Sequence, residues 1–401
     1  MIDATVPERL RQLAARIKCG ADSFIGYPAT RLVDFSPLYP LMDFLLNNIG
    51  DPFYQGGSYK LNTHDMEREV IRWFGALLRA PEDDTWGYVT SGGTEGNMYG
   101  LYLAREAFPD GIVYFSADTH YSVAKIIRLL QMPSCKIGCL PNGEMDYAAL
   151  AEDFKKNAGR PAILFANIGT TMRGAIDDVE RMRSIVLASG IKDLYIHADA
   201  ALSGLVLPFV ENPPAFDFAH GIDSISISGH KLAGVPMPCG VVLARSGMVN
   251  RIMRGVEYIG SMDATILGSR SGIATVFLWY VLNTMGHDGF RRTVAGCLDT
   301  AEYALRQMIL NGIKAWRNPH SLTVVFPRCT QETERKWQLA TEGGQAHLIA
   351  MPHVTHEMID KLIRDIKNTP QAVDPVSGGS TIPLRPAGIS AAGRNAGGAI
   401  R

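Results

Sequence analysis

A histidine and a lysine directly follow a strand-like segment near the middle of the chain. The segment ISISGHKLAGVPMPCG, residues 225–240, alternates apolar and polar residues as far as Gly229, and His230 and Lys231 then precede a run of Gly, Pro and small residues. Crowding by such residues desolvates an amine, and desolvation lowers its pKa toward neutrality. Lys231 is therefore a candidate nucleophile. For a lysine taken alone, a solvated surface position is the more common alternative.

A glycine-rich turn before a helical pattern is the second candidate site. The sequence SGGTEGN, residues 91–97, stands between a strand-like run and a helical pattern that begins near Met98. Backbone amides of such a turn can point at an anion, and the start of the helix adds a favourable dipole. The pattern is neither GxGxxG nor GxxxxGK[ST], which weakens dinucleotide and nucleoside-triphosphate readings. It suits a phosphate; the alternative is an ordinary glycine turn capped by Thr94.

Two further side chains stand at strand ends. Asp199, in the segment HADAA (197–201), follows a strand-like run among small residues, so its carboxylate needs a cationic partner such as a protonated pyridine nitrogen. A helix cap or a structural salt bridge is the alternative for an isolated aspartate. His120, in the segment DTHYSVAKI, has a flat imidazole that could stack on an aromatic ring, although a lone histidine is more often structural.

The four features together indicate one cofactor. A phosphate cradle, a stacking imidazole, a carboxylate for a ring nitrogen and a strand-end lysine are the groups needed to hold pyridoxal 5'-phosphate on a lysine. In an open parallel sheet, ligands bind at the carboxyl ends of the strands, so residues far apart in sequence can converge there.

The elements that would position these residues follow an α/β pattern. Short apolar runs alternate with helical patterns, which predicts a mostly parallel sheet. The predicted strands are 86–90, 111–115, 162–167, 194–199, 224–228 and 240–244. Helices are predicted after Asn97 and after Asp177, the second ending near a Gly190 cap.

The remaining chain predicts a smaller C-terminal α+β domain and a tail. A helical pattern over 290–312, a strand over 321–327 and a helical pattern over 356–368 lie after the large domain. We predict an N-terminal segment (1–55), a large cofactor-binding domain (56–284), a small domain (285–369) and a tail (370–401). The tail is rich in Pro, Gly, Ser and Ala and is expected to be disordered.

Composition excludes several classes of partner. The chain of 401 residues has 39 Lys and Arg against 40 Asp and Glu, so its net charge is −1. No overall electrostatic field therefore favours binding to nucleic acid or to an anionic membrane. The apolar stretch 274–282 is far shorter than the roughly 20 residues of a membrane helix. The N-terminus lacks a secretory pattern, and six scattered cysteines indicate reduced thiols without a metal site. We expect a soluble, cytoplasmic protein with a small-molecule partner.

Five segments resemble motifs of the group II pyridoxal-phosphate decarboxylases and, within them, of the bacterial histidine decarboxylases. They are SGGTEGN, THYSVAK (119–125), NIGTTMRGAIDD (167–178), HADAALSG (197–204) and SGHK (228–231). The resemblance extends from about residue 26 to 353. It implies the aspartate-aminotransferase-like fold (pyridoxal-phosphate fold type I), with a large seven-stranded domain and a small C-terminal domain. It also implies a homodimer with active sites at the subunit interface.

The resemblance also implies roles for individual residues. Lys231 would bind the cofactor aldehyde as a Schiff base, Asp199 would pair with the ring nitrogen, and His120 would stack on the ring close to the substrate. Ser269 lies in a segment similar to the family's loop that approaches the partner's site, and Tyr27 is a candidate for the substrate pocket, with a packing role as its alternative. The residues expected around the cofactor are Ser91, Gly92, Gly93, Thr94, Ala201, Ser228 and His230.

The resulting hypothesis is α-decarboxylation of L-histidine to histamine. Other decarboxylase specificities stay open, for valine, serine or aromatic amino acids, because one sequence does not show the shape of the pocket. An aminotransferase or a catalytically silent homologue is a weaker alternative. A desulfurase would need a thiol on a mobile loop, and none of the cysteines is obviously so placed.

Overall fold

A computed structural model describes residues 5–54 and 56–368 of the chain. The predicted tail, 370–401, lies outside these residues. Within them, the helices are α1 (Thr5–Ala21), α2 (His64–Leu77), α3 (Gly93–Ala107), α4 (Ser122–Leu129), α5 (Tyr147–Lys156), α6 (Val179–Ala188), α7 (Ser246–Val249), α8 (Gly272–Leu310), α9 (Gln331–Lys336) and α10 (His356–Asn368).

The central element is a seven-stranded sheet covered by helices. Its strands are β1 (Thr85–Thr90), β2 (Ile112–Ser116), β3 (Ser134–Ile137), β4 (Ala162–Asn167), β5 (Leu194–Asp199), β6 (Ser224–Ser228) and β7 (Gly240–Arg245). Their order is β1-β7-β6-β5-β4-β2-β3. Only β7 runs against its neighbours, pairing antiparallel with β1 and β6, while the other pairs are parallel. This confirms the predicted mostly parallel sheet.

The pattern of apolar residues located six of these strands and missed β3. The central strands β2 and β4 are buried along their whole length, which is why their sequences are nearly continuous apolar runs. Strand β6 is equally buried, although serine and isoleucine alternate in it. By contrast, β3 has the sequence SCKI and only Ile137 is buried. It lies at the edge of the sheet beside β2, where one side faces solvent, so its sequence lacks the apolar run that marks a buried strand.

A small C-terminal sheet follows the long helix α8. Its strands are β10 (Thr323–Pro327), β11 (Ala340–Glu342) and β12 (Gln345–Ile349), in the order β10-β12-β11. A two-stranded ribbon, β8 (Arg254–Val256) and β9 (Ser261–Asp263), precedes α8. Helix α8 changes direction at Gly286, whose φ of 56° is not helical. Among the described helices, none combines the length and apolarity that a membrane crossing requires.

One edge of the large sheet collects the carboxyl ends of its parallel strands. Asn167 at the end of β4 pairs in register with Asp199 at the end of β5. Gly240, the first residue of β7, pairs with Thr90 on one side and with Ser228 on the other. The loops after β1, β4, β5 and β6 therefore leave the sheet at the same edge.

Helix α3 lies very close to the sheet because it presents glycines to it. A methyl group placed on Gly96 would lie 2.2 Å from Ser226 Oγ, and one placed on Gly100 would lie 2.0 Å from His197 Nδ1. Gly93 is similarly close to Ser228. Any side chain at these positions would push the helix away from β5 and β6, so the glycines set the distance between the helix and the strand ends.

We expect Gly100→Ala to destabilise the protein by roughly 1–3 kcal/mol, because the added methyl group overpacks the buried face of α3. The free energy of unfolding, measured in urea, checks this value. Gly296→Ala is the matched control, since Gly296 also lies within a helix but has no neighbouring atom within 4 Å. Its replacement should be stabilising by roughly 0.5–1 kcal/mol. Equal stability of the two variants would contradict the close approach of α3 to β5.

Candidate active site

A cavity of about 340 Å³ opens at the edge where the parallel strands end. The structure brings eleven predicted site residues to its wall, and Ser269 lies elsewhere. Ser269 is exposed, and its hydroxyl accepts a hydrogen bond of 3.1 Å from Asn47 Nδ2. Its expected role in the partner's site stays a prediction. The predicted residues that line the cavity are Tyr27, Ser91, Gly92, Gly93, Thr94, His120, Asp199, Ala201, Ser228, His230 and Lys231.

The start of helix α3 forms an anion-binding cradle. Gly92 has a φ of 148°, a conformation that favours glycine, and it turns the chain from β1 into the helix. The backbone amides of Gly93 and Thr94 have no acceptor among residues 5–54 and 56–368. Unpartnered amides at the start of a helix, together with its dipole, bind an anion such as a phosphate.

Residues from β5 and β6 face this cradle. A methyl group placed on Gly93 would lie 2.9 Å from Ser228 Oγ and 3.7 Å from Ala201 Cβ. A methyl group placed on Gly92 would lie 3.8 Å from the Cε1 atom of His230. His230 is fixed by Cys239, whose carbonyl oxygen lies 2.8 Å from Nδ1. Burial lowers the pKa of His230, so its ring is neutral near pH 7.

Asp199 is a buried carboxylate held only by neutral groups. Its side chain is 8% exposed. Asn97 Nδ2 donates to Asp199 Oδ2 at 2.7 Å, and the amide of Ala201 donates to Oδ1 at 3.2 Å. No ion pair of the described residues involves Asp199. A buried negative charge without a cation is costly, so Asp199 suits a cationic ligand atom in the cavity.

Lys231 lies at the same wall and keeps part of its surface open to the cavity. Its Nζ atom forms no hydrogen bond or ion pair with any residue of the described ranges. Burial lowers the pKa of its amine, and the negative charge of Asp199 opposes this shift. An unpaired amine with a lowered pKa is the form of lysine that attacks carbonyl groups.

His120 stands in the loop after β2. Ser122 fixes the imidazole, with its hydroxyl oxygen 2.7 Å from Nδ1 and its backbone amide donating to Nδ1 at 3.4 Å. Since Nδ1 accepts, the proton of the neutral ring is on Nε2. Burial lowers the pKa of His120; the charge of Asp199 opposes the shift and that of Lys231 adds to it. The ring is therefore a neutral, oriented donor beside the other two groups.

These groups fit pyridoxal 5'-phosphate by charge and donor type. The free amides of α3 can hold its phosphate, the buried carboxylate of Asp199 can balance a protonated ring nitrogen, and Lys231 can bond to its aldehyde. Among the described residues, the two amides and the amine have no hydrogen-bond partner, and the carboxylate has two neutral donors but no ion pair. They form one cavity wall, although they are up to about 140 residues apart in the chain, as expected at the carboxyl edge of a parallel sheet.

Sequence reasoning missed the C-terminal wall of the cavity, which is formed by residues 320–323, 340, 347 and 349. Its residues come from the C-terminal part of the chain, where the sequence has no pattern typical of a catalytic or binding site. His347 is the most constrained, since Nδ1 lies 3.1 Å from the carbonyl oxygen of Met172 and Nε2 lies 3.1 Å from that of Gly26. His320 has a left-handed backbone, with a φ of 58°. The C-terminal lining residues are His320, Ser321, Leu322, Thr323, Ala340, His347 and Ile349.

Asn97 and His197 were also missed, although both stand in segments that the sequence singled out. His197 precedes Asp199 by two residues in β5, so both side chains point to the same face of the sheet. From this two-residue spacing, the sequence alone could have indicated that His197 lies on the same face as Asp199. The position of Asn97 between Asp199 and His197 depends on how α3 packs against β5, which the sequence does not show.

Comparison with known proteins identifies the family of the chain. Residues 41–315 match the family model described as pyridoxal-dependent decarboxylase conserved domain. A histidine decarboxylase of Vibrio anguillarum is 47% identical over 345 residues, covering 85% of this chain and 89% of the relative. One of Mesorhizobium japonicum is 43% identical over 368 residues, covering 92% and 99%.

A solved structure extends the agreement to the fold. The internal aldimine form of L-methionine decarboxylase from Streptomyces sp. 590 superposes with a TM-score of 0.84 and 25% identity, covering 92% of this chain and 95% of that one. The overlap confirms the aspartate-aminotransferase-like fold expected from the sequence. The family match, the relatives and the arrangement of the strand-end residues lead to one conclusion. The chain belongs to the family of pyridoxal-dependent decarboxylases.

Proposed function

We propose that this decarboxylase acts on L-histidine and releases histamine and CO₂. The relatives that support this substrate are named histidine decarboxylase and are 43–49% identical over most of the chain. The feature of the site that carries the proposal is the charge of the cavity. Lys231 is the only Lys or Arg among the lining residues that the structure describes, and imidazole and hydroxyl groups supply most of its polar atoms.

This charge pattern favours loss of the substrate carboxylate. A permanent cation paired with the carboxylate would stabilise the ground state and raise the barrier to its departure, since only interactions stronger in the transition state accelerate a reaction. The cavity of this chain supplies no guanidinium for that purpose, and Lys231 is proposed to be occupied by the cofactor. A neutral side chain such as imidazole also needs no charged partner in the pocket.

The proposed roles follow from the contacts of each residue. Gly93 and Thr94 would hold the phosphate through their amides, and Lys231 would hold the cofactor covalently and give up that bond to the substrate amine. Asp199 keeps the ring nitrogen protonated, and His120 presents its Nε2 proton to the bound ligands. Pyridoxal 5'-phosphate, when bound, supplies an electron-withdrawing ring that accepts the electron pair left by CO₂. The amine would be released once Cα has gained a proton and Lys231 has bonded to the cofactor again.

We further propose a cytoplasmic homodimer in which Ser269 contributes to the partner's site. The described surface supports association, because large apolar side chains are exposed on it. Leu45 is 75% exposed and Tyr258 is 89% exposed, and Leu10 and Phe44 are more than half exposed. Tyr39 and Met42, in the same short segment as Phe44 and Leu45, are also more than half exposed, and a run of exposed apolar side chains is typical of an interaction surface.

Purified holoenzyme is expected to convert L-histidine with a kcat/KM at least tenfold above that for valine, serine or phenylalanine, since a pocket that hydrogen-bonds a side chain rejects residues lacking the group. CO₂ release and the amine product, followed together for each amino acid, test this expectation. A faster reaction with another amino acid would contradict the substrate. Formation of a keto acid in place of CO₂ would contradict decarboxylation itself.

Replacement of Lys231 by alanine should reduce turnover to the level of a buffer blank, because the covalent attachment of the cofactor is lost. After borohydride reduction, mass spectrometry should find the cofactor on the peptide containing residue 231 of the parent protein. In Lys231→Ala, no peptide should carry it. Lys136→Ala is the matched control, since Lys136 is exposed on β3 and lies outside the cavity. Cofactor on another lysine of the parent protein would refute the assignment.

Asp199→Asn keeps the shape of the side chain and removes its charge. We expect kcat to fall roughly 10²–10³-fold, as when an electrostatic group facing developing charge is lost. Cofactor should also dissociate faster during dialysis, because the ring nitrogen loses its counter-charge. Asp193→Asn, in the exposed loop before β5, is the control. A variant at position 199 with unchanged kcat and retention would show that Asp199 is not the partner of the ring nitrogen.

A further inference from the structure

A buried chain of hydrogen bonds runs from Asp199 into the protein beneath the cavity. Asn97 Nδ2 donates to Asp199 at 2.7 Å, and Asn97 Oδ1 lies 3.0 Å from His197 Nε2. His197 Nδ1 lies 2.7 Å from Ser224 Oγ, which in turn accepts from Tyr195 OH at 2.9 Å. Asn97 is 2% exposed, and the three residues beyond it are fully buried.

The direction of every bond in this chain is fixed by the carboxylate at its end. An ionised carboxylate only accepts hydrogen bonds, so Asn97 must face Asp199 with its NH₂ group. Its oxygen then faces His197, whose Nε2 must donate. Burial lowers the pKa of His197 to about 3, so near neutral pH the ring carries a single proton. Nδ1 must therefore accept.

The hydroxyl groups of Ser224 and Tyr195 continue the chain with the same direction from donor to acceptor. Because His197 Nδ1 accepts, the hydroxyl of Ser224 must donate to it, and the lone pairs of Ser224 are free to accept from Tyr195. A flipped Asn97 amide would place an oxygen against the carboxylate and would require the other tautomer of His197. In that tautomer Nδ1 would donate to Ser224, which already accepts from Tyr195, and the hydroxyl proton of Ser224 would lose its acceptor. Satisfied buried networks of this kind hold one arrangement because every alternative leaves a polar group unpaired.

We infer that His197 is a positioning residue for the cofactor, acting through Asn97 to hold the carboxylate of Asp199 oriented toward the ring nitrogen. The inference rests on the proposed role of Asp199. His197 does not line the cavity, so it has no contact of its own with a ligand there. The close approach of α3 at Gly100 presses the helix onto the His197 ring and keeps Asn97 within reach of it.

The inference predicts that His197 acts on the cofactor only while Asp199 is charged. In the parent background, His197→Leu should lower kcat and speed cofactor release roughly 10–100-fold, as for other buried groups that orient a ligand-binding side chain. In the Asp199→Asn background the same substitution should change neither quantity more than about twofold, because contacting residues that act through one group are not additive. Unfolding free energies should fall by the same amount in both backgrounds.

Cofactor release is measured from the holoenzyme by the loss of its visible absorbance during dilution, which is independent of turnover. Equal losses in both backgrounds would overturn the inference, since His197 would then act through packing alone. An absence of any loss in the parent background would overturn it as well. If Asp199→Asn itself left release and kcat unchanged, the proposed role of Asp199 would fail instead, so the two failures are distinguishable.

Two further variants guard against a His197→Leu protein that does not fold. Asn97→Ala removes the link next to Asp199 and should give the same dependence on background. Tyr195→Phe removes only the far end of the chain, where Ser224 can still donate to His197, and should change cofactor release less than about threefold. Tyr114→Phe is the matched control, since Tyr114 is a buried tyrosine of the same sheet on β2, which β4 separates from β5. A Tyr195→Phe effect as large as that of Asn97→Ala would contradict the inferred order of the chain.

Discussion

The buried charge of Asp199 is the constraint on which the rest of the site depends. Among the described residues it is held by an asparagine amide and a backbone amide, both neutral, at 2.7 Å and 3.2 Å. The cost of burying an ion falls when a cation joins it, so the folded chain carries a penalty that a bound pyridinium removes. Cofactor binding and folding stability are therefore coupled in this protein. The desolvated amine of Lys231 lies in the same wall without a partner among the described residues, and the proposed bond to the cofactor aldehyde would occupy it.

Helix α3 meets two demands at once because it presents glycines to β5 and β6. Its first turn offers free amides at Gly93 and Thr94, and one turn later Asn97 reaches Asp199. Both contacts need the helix axis closer to β5 and β6 than ordinary side chains allow, as the contacts of Gly96 and Gly100 show. The glycine-rich sequence is thus more than a phosphate-binding turn. It sets the spacing that joins the phosphate cradle to the carboxylate.

Much of the cofactor half of the site could be predicted from the sequence, and little of the substrate half. The cofactor residues follow buried parallel strands, which have a strong apolar signal and end at one edge, so their convergence follows from chain order. Strand β3 was missed because an exposed edge strand has no such signal. The Asn97 to His197 contact depends on helix register, and the wall around His320 and His347 depends on how the small sheet packs against the large one. Neither has a local pattern in the sequence.

The division of the cavity explains how one family can share motifs and act on different amino acids. The sheet edge supplies the groups that the chemistry at Cα requires, and these have fixed spacing in the chain. The C-terminal wall supplies what the substrate side chain would meet, through segments such as that of His347, which is held by carbonyls of Gly26 and Met172. Because that wall is built from residues 320–323 and 340–349, which are far along the chain from Asp199 and Lys231, its side chains can change while those two stay the same. Substrate choice can therefore diverge while the decarboxylation chemistry stays the same.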